Sequence, residues 1–235
     1  MQQILMVVII VVICIEVWLI YTQVVVTINR FVNNIKDDVP LESHGVYELR
    51  YLAKTYNEML DKKDVQEKEL KIQAETDGLT GLFNRRSFDD LLIKSLNDCR
   101  ETDRQVALIL IDVDCFKKIN DTHGHAVGDK ALIRLSQLLK ENFRSTDYVS
   151  RLGGDEFAII AVTNDNPNRS KRLSNIIDEV NEKLCVATPD VPVFSISAGL
   201  SFSTDEDVFE DLYKRADNAL YASKSNGGRR CSVNI

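Results

Sequence analysis

The N-terminal segment stands apart from the rest of the chain because its hydrophobic positions leave no polar face. Apolar residues fill nearly all of residues 4–28, interrupted by Glu16, Thr22 and Gln23. About 20 apolar residues are enough to cross a bilayer. A signal peptide is disfavoured because no basic residue precedes the segment and no small-residue cleavage motif follows it. A buried helix of a soluble domain is disfavoured because a terminal helix that is apolar all round rarely finds enough core. We therefore expect residues 1–28 to form a transmembrane anchor.

The charges beside this segment predict its orientation. Arg30 and Lys36 follow it, whereas the residues before it carry no basic side chain. The positive-inside tendency then places the remainder of the chain in the cytoplasm. Glu16 is costly as an anion within a membrane, so we expect it to be protonated or hydrogen-bonded to another helix. It is either a dimer contact, a sensing position or a tolerated polar residue.

Residues 29–76 are polar and charged, and they contain a heptad pattern. Its positions are separated alternately by three and four residues: Leu49, Leu52, Tyr56, Met59, Lys63, Gln66 and Leu70. Five of these seven residues are apolar, which predicts a helical linker that forms a short parallel, dimerising coiled coil or a signalling helix. A helix that packs on its own domain is the alternative.

From residue 77 onward, helix-like and strand-like patterns alternate. Helices are predicted over 85–100, 125–143, 170–187 and 206–225, and strands over 105–112, 148–152, 156–162 and 193–203. A tight hairpin is indicated at Gly153-Gly154, and the longer connections are helical. This pattern predicts one α+β domain over residues 77–235, an antiparallel-rich sheet with helices on one side.

The overall charge restricts the classes of ligand. A formal net charge of −7 argues against a nucleic-acid polymer as partner, because such partners require a broad basic surface. An acidic protein can still bind a nucleotide where metal ions or local lysines offset the phosphate charge. Carboxylates close to lysines are therefore the pattern of interest.

Two aspartates at the end of the strand predicted over 105–112 form the first candidate site. Asp112 and Asp114 alternate along the chain, so their side chains lie on the same side. Neighbouring carboxylates repel one another unless a cation intervenes, which favours a hard metal ion. The alternative is that these aspartates cap the next helix.

The hairpin supplies the second candidate site. Gly153 and Gly154 would let a ligand approach the backbone, since a phosphate lying on the turn leaves no room for a Cβ atom. Asp155 and Glu156 follow directly. Taken alone, the hairpin could equally be a structural turn.

A third set of residues lies between these two. Lys117 can neutralise phosphate, and Asn120 and Asp129 offer the amide and the carboxylate that match a guanine edge. His123 and His125 raise the question of zinc, but two histidines without further ligands are insufficient.

Together these motifs resemble the GGDEF diguanylate cyclases, over about two thirds of the chain. The resemblance rests on five ordered segments, residues 77–86, 112–121, 124–129, 153–157 and 216–224. It implies a ferredoxin-like fold similar to the palm of polymerases and nucleotidyl cyclases. It also implies condensation of two GTP molecules into cyclic di-GMP and pyrophosphate by a homodimer. With the anchor, it implies a single-pass protein of the bacterial inner membrane.

The resemblance further implies a metal site and its catalytic base. Two Mg²⁺ ions, or Mn²⁺ in their place, would be held by Asp112, the carbonyl of Val113 and Asp155. Asp155 would also accept the proton of the attacking 3′-hydroxyl group. Glu156 and Asp114 would hold these ligands in place without binding the metal themselves.

Substrate contacts are implied in the same way. Asn120 and Asp129 would recognise guanine, and His125 would lie in the substrate site. The residues that would contact phosphate groups are Lys117, Lys224, Gly153 and Gly154.

Two further features bear on the resemblance. Arg144 and Asp147 have the spacing of the family's inhibitory site for its product, and arginine can bind phosphate and stack on guanine. A surface ion pair is the alternative. The family commonly has arginine directly after the glycine at position 227, but here Gly228 intervenes before Arg229, so the role of Arg229 is open.

These observations predict a cyclase that is inhibited by its own product. A receptor that binds cyclic di-GMP at Arg144 and Asp147 without catalysis is the alternative. It is disfavoured because such a receptor would not need the metal-binding and guanine-binding residues. A cyclase of relaxed base choice is a third interpretation, which Asp129 disfavours.

Overall fold

The structure is a computed structural model that describes residues 2–36, 39, 47–100, 102, 104–164 and 168–234. It divides into two units, Met1–Ile72 and Gln73–Ile235. Three helices account for most of the first unit: α1 (Gln2–Ile20), α2 (Val26–Lys36) and α3 (Tyr47–Glu75). A π-helical turn, Tyr21–Val25, joins α1 to α2.

The first two helices leave their apolar side chains uncovered. Continuous helix over Gln3–Lys36 is long and apolar enough to cross a membrane, and none of its most apolar window is buried. Length and composition alone carry this finding, and a signal sequence near an N-terminus would meet the same test. The span predicted over residues 4–28 therefore stays a prediction.

Helix α3 is continuous across the predicted heptad pattern. Leu52, Met59 and Leu70 are each at least half exposed. Tyr56 is partly covered by the buried Ala53, and its hydroxyl donates to the carbonyl of Ile35. The side chain of Leu49 lies outside the described residues. Most of the apolar heptad positions are thus uncovered within one chain.

The second unit contains a sheet and five further helices among its described residues. The strands are β1 (Arg104–Val113), β2 (Tyr148–Gly153), β3 (Glu156–Asn164), β4 (Ile196–Phe202) and β5 (Cys231–Asn234). The helices are α4 (Arg85–Cys99), α5 (Phe116–His123), α6 (His125–Asn142), α7 (Arg169–Leu184) and α8 (Phe209–Ser225).

Strand β1 lies at the centre of the sheet, whose order is β2-β3-β1-β4-β5. It pairs antiparallel with β3 and with β4, and β2 pairs antiparallel with β3. Only β4 and β5 are parallel among the described strands, and α8 forms the crossover that a parallel pair requires. The predicted α+β class with an antiparallel-rich sheet is confirmed.

The expectation of helices on one side of the sheet is wrong, because both faces are covered. Ile109 and Ile111 pack with α6 and α7 on one face, whereas Leu108 and Leu110 pack with α4 and α8 on the other. The run Val106–Ile111 is fully apolar and buried throughout. A strand without polar alternation is typical of a sheet that is buried on both faces.

Two short elements were not predicted. Helix α5 has only eight residues and is followed by Gly124, whose φ of 84° suits glycine. Strand β5 has four residues and no clear alternation in burial. Helix α5 is too short to show a clear helical period, and β5 depends on pairing with β4, which is remote in sequence. The local pattern therefore carries little information about either element.

A largely buried ion pair ties α8 to the loop before it. The guanidinium of Arg215 donates to both carboxylate oxygens of Asp207 and to the carbonyl of Phe202. Although burial alone would raise it, the pKa of Asp207 is lowered by hydrogen bonds from Arg215 and from Thr204. The pair is therefore ionised, and it holds α8 against this loop.

Candidate active site

The carboxylates of β1 and of the hairpin meet because these two strands pair. Asp112 lies opposite Glu156 in the register of β1 and β3. The backbone N–H of Val113 donates to the carbonyl of Asp155 at 3.2 Å. The family resemblance implies that Asp112 and Asp155 share one metal site, and the pairing of β1 with β3 brings their backbones close together.

Asp112 has a cationic partner from α8. The Nζ of Lys224 lies 2.7 Å from its Oδ2 atom, and the Asp112 side chain is only 14% exposed. Burial raises the pKa of Asp112, the negative charges of Asp155 and Glu156 raise it further, and Lys224 opposes them. The cluster is thus an acidic site that needs positive charge.

The oxygen ligands that the sequence predicts here fit a divalent metal ion. Within the described residues, no group of three or more His, Cys, Asp or Glu side chains could hold a metal. The predicted set includes only two carboxylates, from Asp112 and Asp155, with the carbonyl of Val113 as a third oxygen. Oxygen ligands are what Mg²⁺ and Mn²⁺ prefer, and Lys224 already supplies one positive charge in the cluster.

Asp114 has partners of its own. Its carboxylate accepts hydrogen bonds from the hydroxyls of Ser195 and Ser197, each at 2.6 Å, and from the backbone N–H of Arg229 at 3.1 Å. The two serines were not identified from the sequence. Three protein donors leave this carboxylate well satisfied, so it fixes the loop after β1.

The segment that departs from the family pattern folds as a left-handed turn. Gly227, Gly228 and Arg229 have φ values of 99°, 69° and 53°. A Cβ atom on Gly228 would lie 3.2 Å from a carboxylate oxygen of Asp114. Arg229 lines a cavity of about 420 Å³ beside Asp114, so the extra glycine is accommodated without removing an arginine from this region.

The residues expected to recognise guanine lie on α5 and α6. The Oδ1 atom of Asn120 is buried and has no hydrogen-bond partner in the part of the chain that the structure describes. Its side chain packs on Gly128, where a Cβ atom would come within 1.9 Å of that oxygen. Asp129, His125 and Lys117 are exposed. A buried polar atom without a partner is costly, so Asn120 is suited to a ligand.

The turn at Arg144 is closed by reciprocal hydrogen bonds. The backbone N–H of Arg144 donates to the Asp147 carboxylate, and the N–H of Asp147 donates to the Arg144 carbonyl, both at 3.0 Å. Burial raises the pKa of Asp147, whereas the charges of Arg144 and Arg172 act in the opposite direction. Arg172, on α7, was not identified from the sequence because it lies 25 positions after Asp147.

Comparison with known proteins identifies the class of domain that this fold and these residues define. Residues 74–230 match the family model "Diguanylate cyclase, GGDEF domain". This range covers more than half of the chain, and the chain belongs to the GGDEF family.

Three similar proteins illustrate the relationship. The probable diguanylate cyclase DgcC of Escherichia coli is 34% identical over 165 residues, 70% of this chain and 44% of DgcC. The diguanylate cyclase DosC of Escherichia coli is 36% identical over 160 residues, 67% of this chain and 34% of DosC. The coiled coil and GGDEF domain of DgcB from Caulobacter crescentus, solved with c-di-GMP, has a TM-score of 0.68 at 25% identity and covers 78% of this chain and 98% of that structure. The chain thus spans less than half the length of these two curated relatives.

Proposed function

We propose that this chain is a diguanylate cyclase that condenses two GTP molecules into cyclic di-GMP with release of two pyrophosphates. The observation that carries the proposal is the cluster of Asp112, Asp155 and Lys224 at the meeting of β1, the hairpin and α8. Family membership and the named relatives support the same activity.

Asp112, the Val113 carbonyl and Asp155 would hold two Mg²⁺ ions, or Mn²⁺ in their place. When bound, these ions lower the pKa of the attacking 3′-hydroxyl and stabilise negative charge on the α-phosphate. Glu156 and Asp114 would support the ligands without being ligands themselves. The three hydrogen bonds to Asp114 favour this supporting role.

The remaining residues orient the nucleotide and move its proton. Asn120 and Asp129 would bind the guanine edge, with His125 beside it. Asp155 would accept the 3′-hydroxyl proton as the oxygen attacks the α-phosphorus of the second GTP. The bond from that phosphorus to the β-phosphate oxygen then breaks, and pyrophosphate leaves.

Lysines would neutralise the phosphate charge, and the backbone of the hairpin turn would lie against the phosphates. Lys224 would turn from Asp112 to the nucleotide, and exposed Lys117 is free to approach from α5. Gly153 and Gly154 keep the hairpin open to the phosphates, because no heavy atom lies within 4 Å of a Cβ built on either.

Each domain would hold one GTP, so two copies must face each other. The exposed heptad positions of α3 support a parallel dimer, and the DgcB structure contains a coiled coil together with its GGDEF domain. Residues 4–28 would anchor the chain in the bacterial inner membrane, with the catalytic domain in the cytoplasm. Both devices raise the local concentration of one domain around another.

Cyclic di-GMP would also inhibit the enzyme at Arg144 and Asp147. The nearby charge of Arg172 supports a phosphate-binding site there, and arginine forms bidentate hydrogen bonds with phosphate. The DgcB structure contains c-di-GMP, which is compatible with product binding by a GGDEF domain.

The deciding experiment is turnover by the full chain in detergent or nanodiscs. Incubation with GTP and Mg²⁺ should yield cyclic di-GMP and pyrophosphate, Asp155→Asn should abolish turnover, and Glu179→Gln, at an exposed carboxylate on α7, should leave it unchanged. Binding of cyclic di-GMP without turnover by a dimeric sample would contradict the proposal and favour the receptor.

A further inference from the structure

The turn of the catalytic hairpin is held by one arginine. Arg151 precedes the glycine pair, and its Nε and NH2 groups donate to the carbonyl of Gly154 at 3.1 and 2.8 Å. Gly154 has a φ of 56°, a left-handed conformation that glycine adopts without a steric penalty. Two donors on one acceptor define the orientation of that carbonyl more closely than one would.

The same guanidinium is fixed from its other side by Asp77. Its NH1 group lies 2.9 Å from the Asp77 Oδ1 atom, and the side chains are only 12% and 25% exposed. Asp77 also accepts from the N–H and the hydroxyl of Thr80. Burial alone would raise its pKa, but hydrogen bonds from Thr80 and Arg151 lower it, so the pair is ionic.

These contacts bear directly on Asp155. The Gly154 carbonyl and the Asp155 N–H belong to one planar peptide unit, so orienting the carbonyl also orients the backbone from which the Asp155 side chain departs. The next carbonyl, that of Asp155, accepts from Val113 at 3.2 Å. Asp155 is therefore held on both sides, by Arg151 through Gly154 and by β1.

We propose that Arg151, fixed by Asp77, is a positioning residue for Asp155. The inference rests on the proposed function because Asp155 is assigned there as metal ligand and base. Arg151 uses three N–H groups in a planar fork to join one carboxylate and one carbonyl. Lysine cannot reproduce this geometry, since its ammonium is a single point charge on a flexible stem.

The main test is Arg151→Lys in the full chain. Mutation of a residue that orients a metal ligand typically lowers metal affinity or activity by about 10- to 100-fold. We expect kcat to fall by about 10- to 100-fold and the half-saturating Mg²⁺ concentration to rise on the same scale, with KM for GTP little changed. Asp77→Asn should act in the same direction, and the double variant should lose less than the product of the two single losses.

A second measurement does not depend on turnover. Mn²⁺ binding is followed by electron paramagnetic resonance with 3′-deoxy-GTP, which lacks the attacking hydroxyl group. Arg151→Lys should weaken Mn²⁺ binding by about 10-fold or more. The matched control is Arg85→Lys, at an arginine 3.2 Å from Asp89 on the surface of α4, and it should bind Mn²⁺ like the parent chain.

These outcomes separate the inference from the proposed function. Weakened Mn²⁺ binding in Arg151→Lys with no turnover by the parent chain would refute the cyclase and retain the positioning role. An active parent with unchanged kcat, Mg²⁺ dependence and Mn²⁺ binding in Arg151→Lys would overturn the inference. So would a variant that loses only thermal stability and recovers full activity and Mn²⁺ binding on cooling.

Discussion

Replacing Gly128 with alanine should impair nucleotide recognition without unfolding the domain. The new Cβ atom would lie 1.9 Å from Oδ1 and 3.0 Å from Cγ of Asn120. An ordinary contact is about 3.5 Å, so the amide must move by roughly 1.5 Å. It can do so because it is the end of a side chain, whereas the backbone of α6 need not shift.

The substitution should leave the stability of the fold nearly unchanged but weaken nucleotide binding. Alanine favours a helix interior over glycine by about 1 kcal/mol, which offsets the cost of moving the Asn120 amide. Displacing that amide removes one polar contact to guanine, which lowers the binding free energy by about 1–3 kcal/mol. This corresponds to roughly 5- to 150-fold weaker binding of the nucleotide.

Calorimetric titration with 3′-deoxy-GTP and Mg²⁺ measures this effect without turnover. Gly78→Ala is the matched control, since no heavy atom lies within 4 Å of its Cβ position. Asn120→Ala should match Gly128→Ala in affinity, and combining the two should add little. Wild-type affinity in a folded Gly128→Ala variant would refute the assignment of Asn120 to the base.

Three other predictions concern inhibition, stability and the membrane. Arg144→Ala should raise the cyclic di-GMP concentration that halves the rate by about 10-fold or more, and unchanged inhibition would rule out that site. Asp207→Ala leaves Arg215 largely buried without its partner, so the free energy of unfolding measured in urea should fall by about 3 kcal/mol at pH 7. Folding lowers the pKa of Asp207 below its usual value of 3.8. The stability that Asp207 contributes is therefore complete above pH 3.8 and is lost as the pH falls through the folded-state pKa. An equal loss of stability in Asp207→Ala at pH 7 and at pH 2 would contradict this. The full chain should resist alkaline extraction from bacterial membranes, and a chain without residues 2–36 should not; membrane retention of the shortened chain would refute the anchor.

The sequence predicted well those strands that are continuous apolar runs between polar residues. The predicted strand over 156–162 lies within β3, and that over 105–112 within β1. The sidedness of the helices could not be obtained in the same way. The apolar run of β1 has no alternation to distinguish one face from two, and only the packing of α4 and α8 reveals the second layer.

The same division applies to the site. Asp112 and Asp155 could be placed together because one strand register suffices to join them. The contact of Arg151 with Asp77 spans 74 residues, and nothing in the local pattern distinguishes this arginine from an exposed strand residue. Gly128 was visible as a glycine beside Asp129, but its role depends on a contact with another helix.

Gly199, in the middle of β4, shows how a residue without ligand contacts can set the dimensions of the site. A Cβ atom there would lie 2.2 Å from the carbonyl of Ala216 and from the backbone nitrogen of Leu220. Helix α8 therefore rests its backbone directly on the sheet, and Lys224, one turn beyond Leu220, reaches Asp112 at 2.7 Å. A larger residue at position 199 would move α8, and with it Lys224, away from the carboxylates. The reach of the site is thus determined by the distance between β4 and the backbone of α8, and any side chain at position 199 would force that backbone to shift.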